Sequence, residues 1–455
     1  MFRRHCPARH MRAMNNGHYF LECSMKRIKT RVMKSLLATA LLALMATTPG
    51  GLSAASAADS GALSGKTITV LLPSPGYPPD QIKRFEQETG IHVDQQTLAW
   101  DQLRTRIVTA LVAGTAPADV IELDWSWVGQ FGAAAWLAPL DGKLDAARLK
   151  NIAITPIFQY QGKLLGAPYN NDFKMMVYNK AQFAKAGITE PPATLDQLLA
   201  DGKALKEKAG VKYPFGLPLS VGEATSTAWF LLTMMHNGDL FTADMKPAFT
   251  DKHSGGYQAL AFIKQAMDAG LIDPAATNYG NEEVRAMFKA GDSSIILSDG
   301  PGPLATYNDK TQSKVAGDAL AAVVPNITGK SRTYGLPEAL AIPKAAKQQP
   351  AAQTFINWMM DPQHQSRIYT EAGTLPTSTP ALAALNKEGK LLSGEAILAQ
   401  ISGIGPLFAG GTPPWYPAFS NGAASAINAL AKGQISVDEA NKTIAEAAQN
   451  AMSGN

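Results

Sequence analysis

From Lys66 to Leu123 the sequence alternates strand, helix, strand, helix and strand, and few folds accept that rhythm. "KTITVLLPS" (Lys66 to Ser74) is β-branched and apolar and ends at a Pro/Gly cluster. Ile82 and Phe85 then lie one helical turn apart, and Gly90 suits a left-handed helix cap. "IHVDQQTL" reads as the second strand. A helix over Asp101–Ala113 carries Leu103, Ile107 and Leu111 on one face and stops at Gly114. "DVIEL", from Asp119, is the third strand. The run predicts βαβ units: an α/β fold with a parallel sheet covered on both faces.

The pattern resumes downstream. Thr194 and Gln197 form a capping box for a helix running towards Gly210, and Ser436 and Glu439 form another for the last helix. "SSIILS" (Ser293 to Ser298) is a short buried strand. No repeat, low-complexity tract or Pro/Ser-rich joint divides the chain, so two α/β lobes interleaved along it fit better than two domains in series. Open sheets of this kind bind ligands beyond the carboxyl ends of their strands. Three stretches occupy such ends: Asp124–Trp127, "PYNND" (Pro168 to Asp172) and Asp299–Gly302.

The N-terminus reads as a leader. Lys26, Arg27, Lys29, Arg31 and Lys34 precede an apolar run, Leu36 to Met45, too short to span a bilayer, and Ala55, Ser56 and Ala57 make an A-x-A cleavage site. This predicts a secretory signal peptide over residues 1–57, in which residues 1–24 are either an unusually long n-region or lie ahead of the true initiator, Met25 or Met33, the second being favoured. Cys6 and Cys23 both lie upstream, so the mature chain has no disulfide, thiol nucleophile or lipid-anchor cysteine. Nine of the 41 Lys and Arg and one of the 37 acidic residues precede residue 58, leaving a formal charge near −4. That balance gives no electrostatic reason to expect nucleic acid or an anionic membrane as partner. The expectation is a periplasmic monomer without cofactor.

Catalytic motifs are missing. "TGKS" (Thr328 to Ser331) has Val324 where a phosphate loop needs its first glycine, and "GALSGKT" (Gly61 to Thr67) is one residue short. There is no H-E-x-x-H and no G-x-S-x-G. His92, His236, His253 and His364 are scattered, so neither a metal nor a catalytic residue is assigned. Acidic residues are plentiful enough that sequence alone leaves a general acid/base pair open.

What stands out is aromatic and acidic. Asp124, Trp125 and Trp127 crowd one strand end, Trp415 and Tyr416 sit between prolines in "GGTPPWYPAFSNG", and Tyr77 follows the first strand. A sugar offers an apolar face to a ring and hydroxyls to Asp and Asn. A carboxylate accepting from a hydroxyl is worth roughly 1.5–3 kcal/mol. A quaternary amine would use the same parts as a cation–π cage, so composition leaves sugar and amine both open.

Four segments then carry a resemblance: "PADVIELDWSWVGQFGAAAWLAPLD" (Pro117 to Asp141), "GAPYNNDFKMMVYNKAQFAKAGI" (Gly166 to Ile188), "EEVRAMFKAGDSSIILSDGPG" (Glu282 to Gly302), and "YGLPEALAIPKAA" (Tyr334 to Ala346) with "AAQTFINWMMDPQHQ". In order and spacing they resemble the extracellular solute-binding proteins of ABC importers, in the sugar-binding branch that includes maltose-binding protein. The resemblance implies two α/β lobes with a ligand cleft between them. Three crossings would fall near Asn171–Met175, Leu340–Ile342 and Leu375–Ser378. One lobe would hold 66–171 and 342–375, the other 176–339 and 378–455. It also implies closure on the ligand and docking onto a membrane permease.

Carried over by position, Asp124 and Asp172 would accept sugar hydroxyls, with Asn170 and Asn171 beside Asp172. Asp299, followed by Gly300, matches a polar position after a strand. "DGPGP" then has Gly302 where the family commonly places a stacking ring. Trp125, Trp229 or Trp415 would supply the platform instead, with Tyr416 and Tyr77 nearby, although Trp229 also fits packing within its own helix. Trp100, Trp136 and Trp358 read as core. The alternatives are a cationic or phosphorylated solute (polyamine, betaine or glycerophosphodiester) and a secreted glycoside hydrolase. Against a phosphate, the expectation is that the site offers neither an arginine nor a glycine-rich loop.

Overall fold

The computed structural model describes residues 62–454, apart from 406, 409 and 410 and the side chain of Asp101. The predicted signal peptide and both cysteines lie outside the described residues. None of the described helices is long and apolar enough to cross a membrane.

The first half follows the predicted rhythm: β1 (Thr67–Pro73), α1 (Pro79–Thr89), β2 (His92–Leu98), α2 (Trp100–Val112) and β3 (Val120–Asp124). Gly90 closes α1 at φ 71°, the left-handed conformation expected of it. Next come β4 (Ala167–Asn170), β5 (Met175–Asn179), α3 (Leu195–Lys208), β6 (Phe215–Gly216), α4 (Glu223–Met235) and α5 (Asn281–Ala290). The chain continues through β7 (Ile295–Asp299), β8 (Ala319–Ala322), β9 (Glu338–Ala341), α6 (Gln349–Met359) and α7 (Pro362–Ala372), and ends with α8 (Tyr416–Ala431) and α9 (Val437–Ser453). Both predicted capping boxes form, Thr194 with Gln197 and Ser436 with Glu439.

Two main sheets result. The first has the order β2-β1-β3-β9-β4 and the second β8-β5-β7-β6. The three strands expected to be parallel, β1, β2 and β3, are so, but the sheet is mixed, because β9 lies antiparallel between β3 and β4. β9 is the return strand from the second sheet, so it enters from the end where the others leave. That reversal builds the site. The carboxyl ends of β1, β3 and β4 and the amino end of β9 all meet at one edge, where Glu338 pairs across to Asp124 on one side and Asn170 on the other.

The chain first leaves this sheet between Asn170 and Met175. Its return is complete by Glu338, ahead of the expected 340–342, because the whole of β9 belongs to the first sheet. The crossing stretches run side by side. Asn171 N donates to Leu375 O (2.9 Å), Leu336 N donates to Asp172 O (2.8 Å), and Phe173 bridges to Gly335. Above the sheets, Gly129 lets the segment after β3 approach the loop ahead of α8. A Cβ there would sit 2.0 Å from Thr412 O and 2.8 Å from the Pro413 carbonyl carbon. Backbone cannot swing aside as a side chain does. Gly129→Ala is therefore expected to destabilise the protein by about 1–3 kcal/mol in a denaturant titration; an unchanged midpoint would show that this approach is not tight in solution.

Candidate functional site: a carboxylate-lined cleft

Between the two sheets lies a cavity of about 860 Å³, within the usual range for a small organic ligand. From the first sheet it is lined by Pro73–Tyr77, Asp124–Trp127, Tyr169, Asn170 and Glu338, with Trp100 and Arg104 from α2. Asp172, Lys174 and Thr374 come from the crossing stretches. The opposite wall is Glu223 and Thr227 of α4, Asn281, Glu282 and Arg285 of α5, and Tyr416 and Asn421 of α8.

Of the residues expected from sequence, the structure brings Tyr77, Asp124, Trp125, Asn170, Asp172 and Tyr416 to the cleft wall. Five others do not line it. Trp229 is fully buried and donates its indole N–H to Gly256 O at 2.9 Å, packed against Phe230 and Phe249. Trp415 is wedged among Phe241, Phe408 and Phe419. Asn171 is buried, with its Oδ1 unpartnered. Asp299 sits behind the wall: its Oδ1 accepts from Arg285 Nη2 and Gly300 N, both at 2.8 Å, and its Oδ2 accepts from Tyr307. Gly300 acts by what it lacks, since a Cβ there would lie 2.1 Å from Asp172 Oδ1.

The stacking assignments shift too. Trp125 and Tyr416 meet edge to face at 5.0 Å, so two rings expected to hold a ligand hold each other across the cleft. Trp125 and Trp127 are buried, whereas Trp100, expected in the core, is 37% exposed and lines the cavity. It is the only aromatic among the exposed large apolar side chains of the described residues. Leu103, Ile107 and Leu111 continue its helical stripe into the core, so the stripe itself pointed to burial. Trp100 escapes because it begins the helix, beyond the end of the sheet, with Arg104 one turn on.

Charge is the other surprise. The reading that no arginine serves the site is corrected by Arg104 and Arg285, and Lys174 joins them. Arg285 is already matched, pairing with Asp299 and with Glu282 at 2.8 Å each. Burial pushes Asp299 up, but Arg285, Tyr307 and Lys174 outweigh it and hold the carboxyl below its ordinary value. Arg104 donates to Gln130 Oε1 at 3.0 Å and lies 5.9 Å over the Trp127 ring. Lys174 is buried and its ammonium donates no hydrogen bond among the described residues; burial draws its pKa down against the pull of Asp172 and Asp299.

Against these three cations stand Asp124, Asp172, Glu223, Glu282 and Glu338. Burial raises Asp124 well above the usual carboxylate range, although Ser126 donates to its Oδ1 from both backbone and hydroxyl, and Glu338 and Glu223 add repulsion. Burial likewise raises Asp172, opposed by Lys174 and Arg285. It also raises Glu223, opposed by hydrogen bonds from Ser420 (2.6 Å) and Tyr416. Glu338 is pushed up to about 6 by burial, with Asn170 and Tyr169 donating to its Oε2. Asp124 Oδ2 and Glu338 Oε1 accept from nothing among the described residues. Carboxyls that keep one oxygen without a protein partner beside the cavity suit a ligand rich in hydroxyl donors. No group of three His, Cys, Asp or Glu among the described residues is arranged to hold a metal ion.

The family model for bacterial extracellular solute-binding proteins matches residues 73–366, most of the chain and nearly all the segments just described. The chain belongs to that family. Among relatives of this solute-binding protein, a putative binding protein of Brucella abortus (strain 2308) is 26% identical over 331 residues, 72% of this chain and 79% of that one. A maltooligosaccharide ABC transporter solute-binding lipoprotein of Streptococcus pneumoniae is 26% identical across 84% of this chain and 89% of its own. The fold matches an ABC transporter solute-binding protein from Agrobacterium radiobacter K84, solved in complex with ribitol, with TM-score 0.75 and 21% identity over 86% of this chain and all of that one. Proteins of this family bind substrates for transport and are not enzymes, and they work outside the cytoplasm with ABC permeases.

Gly300 offers a test that leaves every polar group in place. Gly300→Ala is expected to displace the Asp172 carboxylate while changing stability by less than about 1 kcal/mol, because a side-chain end rather than backbone must move. Ligand affinity should fall towards that of Asp172→Ala, itself weakened more than tenfold in titration calorimetry. Wild-type affinity in Gly300→Ala would show that the position of Asp172 does not matter.

Proposed function

We propose that this solute-binding protein captures a neutral carbohydrate, a mono- or oligosaccharide or a sugar alcohol, in the periplasm after removal of its signal peptide. It then hands the ligand to an ABC permease by closing its cleft, with no catalysis of its own. The observation that carries this reading is the pairing of two half-satisfied carboxyls, buried Asp124 and half-buried Glu338, with an exposed indole, Trp100, in one cavity. Hydroxyls would donate to Asp124, Asp172 and Glu338. The apolar face of a ring or polyol chain would lie on Trp100, which takes the place of the ring missing at Gly302. The named ligands of the Streptococcus and Agrobacterium proteins, a maltooligosaccharide and ribitol, are of this class. The lobes would divide as 66–171 with 342–375 and 176–339 with 378–455, adjusted so that all of β9 joins the first.

An anionic ligand fits less well. Five carboxylates face three cations, and Arg285 is already spoken for by Asp299 and Glu282. The same excess supports a second reading, a solute bearing an amine. It would not sit in a cage of Trp125 and Tyr416, since those rings pack on each other.

A thermal-shift panel of the mature chain against sugars, sugar alcohols, polyamines, betaine and glycerophosphodiesters separates these readings. A ligand at a hundred times its dissociation constant adds about 2.7 kcal/mol, a shift of several degrees. The expected result is a shift confined to sugars or polyols. A shift with amines alone would replace this reading with the second. For the ligand so found, Trp100→Ala should lose about tenfold in affinity or more, ~1.4 kcal/mol. Unchanged binding would remove Trp100 as the platform.

A further inference from the structure

Three groups run in a row inward from the cleft wall. Tyr169 Oη lies 2.8 Å from Glu122 Oε2 and 2.9 Å from Glu338 Oε2. A phenol carries one proton and donates it once. Were both carboxyls ionised, one would face the phenol oxygen's lone pairs at hydrogen-bonding distance with no proton between them. One of the two acids must supply that proton. Glu122 is the candidate on geometry. It lies in the middle of β3, is fully buried, and its Oε1 has no hydrogen-bond partner. Glu338 sits at the cleft edge and already accepts from Asn170 Nδ2 at 3.1 Å. An ionised carboxylate with an unpartnered oxygen in an apolar interior is the costlier arrangement.

We propose that Glu122 is a positioning residue for ligand binding: it stays protonated at neutral pH, donates to Tyr169, and so commits the Tyr169 hydroxyl to Glu338, leaving Glu338 an ionised acceptor with its second oxygen free for the ligand. This rests on the reading that the cleft takes a hydroxylated ligand. The titratable and charged groups around Glu338 are Glu122 and Asp124 on β3, Tyr169 on β4, Tyr77 in the loop after β1, and Asp172 on the crossing stretch. Burial raises Glu122 well above its ordinary value and raises Glu338 only to about 6, which is the same ranking. The sign for binding follows. A donor from the ligand stabilises the ionised Glu338 and lowers its pKa in the complex, so affinity is full above pH 6 and falls as pH drops through it, with a proton released on binding near that pH.

The test begins without a ligand. In protein labelled with carbon-13 at the Glu side-chain carboxyl, the expected result is one Glu that is still protonated at neutral pH, whose signal disappears in Glu122→Gln, and another that titrates near 6 and disappears in Glu338→Gln. Glu122→Gln should leave the Glu338 midpoint in place, because it removes no charge. Tyr169→Phe should move that midpoint up by removing its donor. Glu122 titrating below pH 7, or a Glu338 midpoint that drops by a unit or more in Glu122→Gln, would overturn the proposal by showing a charged Glu122. If Glu122→Gln does not fold, the wild-type signal, assigned through Glu338→Gln and Tyr169→Phe, still decides the point.

With ribitol and maltose as probes, Glu122→Leu should bind about tenfold more weakly and Glu122→Gln should recover most of that loss. A pH profile unchanged by Glu338→Gln would place the titration elsewhere and overturn the linkage. Failure of both probes to bind would count against the hydroxylated-ligand reading and leave the carboxyl titrations to decide the proton's place.

Discussion

The strip from Asn171 to Lys174 holds the structure and its proposed action together. It is the first crossing between the sheets, and hydrogen bonds fix it to both of the others: Asn171 N to Leu375 O, Leu336 N to Asp172 O, and Thr333 Oγ1 to Lys174 O at 2.7 Å. Two of its four side chains, Asp172 and Lys174, face the cleft. A ligand that bonds to them therefore touches a stretch that links the two sheets, about which the proposed closure would turn. Closure is selected to the extent that a ligand binds the closed arrangement better than the open one. Contacts on the crossing, together with Asp124 from one lobe and Glu223 from the other, are where that difference would arise.

The cleft is built around carboxylic acids. Asp124, Asp172, Glu223 and Glu338 are all raised by burial, and the three cations relieve them only in part. Each hydroxyl that a ligand donates to such an acceptor is worth roughly 1.5–3 kcal/mol. Asp299 shows the opposite solution on the same wall. Saturated by Arg285, Gly300 and Tyr307, it is held below its ordinary value and serves as a fixed support rather than an acceptor.

The sequence revealed the fold more fully than the site. Strands and helices announce themselves through local periodicity and caps, and Gly90, Thr194 and Ser436 each did what their chemistry predicts. β9 was harder to place, because nothing in "EALA" says it will insert antiparallel between β3 and β4. The strand-end rule pointed to Asp124, Asn170 and Asp172, and all three line the cleft. Long-range packing decided the rest: whether Trp229 met Gly256 or a ligand, whether Trp125 met Tyr416 or open space, and whether Asp299 met Arg285 or a hydroxyl. Trp100 and Arg104 carried one usable signal, an i, i+4 pair opening a helix directly after a strand. Glu122 carried none, since an acid inside a buried strand reads as an anomaly until Tyr169 and Glu338 are seen beside it.

A crystal structure of the mature protein with the sugar or polyol selected by thermal shift would be the most direct measurement. The expected result is a ligand in this cavity, with hydroxyls within about 3 Å of Asp124 Oδ2, Glu338 Oε1 and the Asp172 carboxylate and an apolar face on the Trp100 indole. A ligand bound away from those carboxylates, or one that meets them with an ammonium group, would contradict capture of a neutral hydroxylated solute.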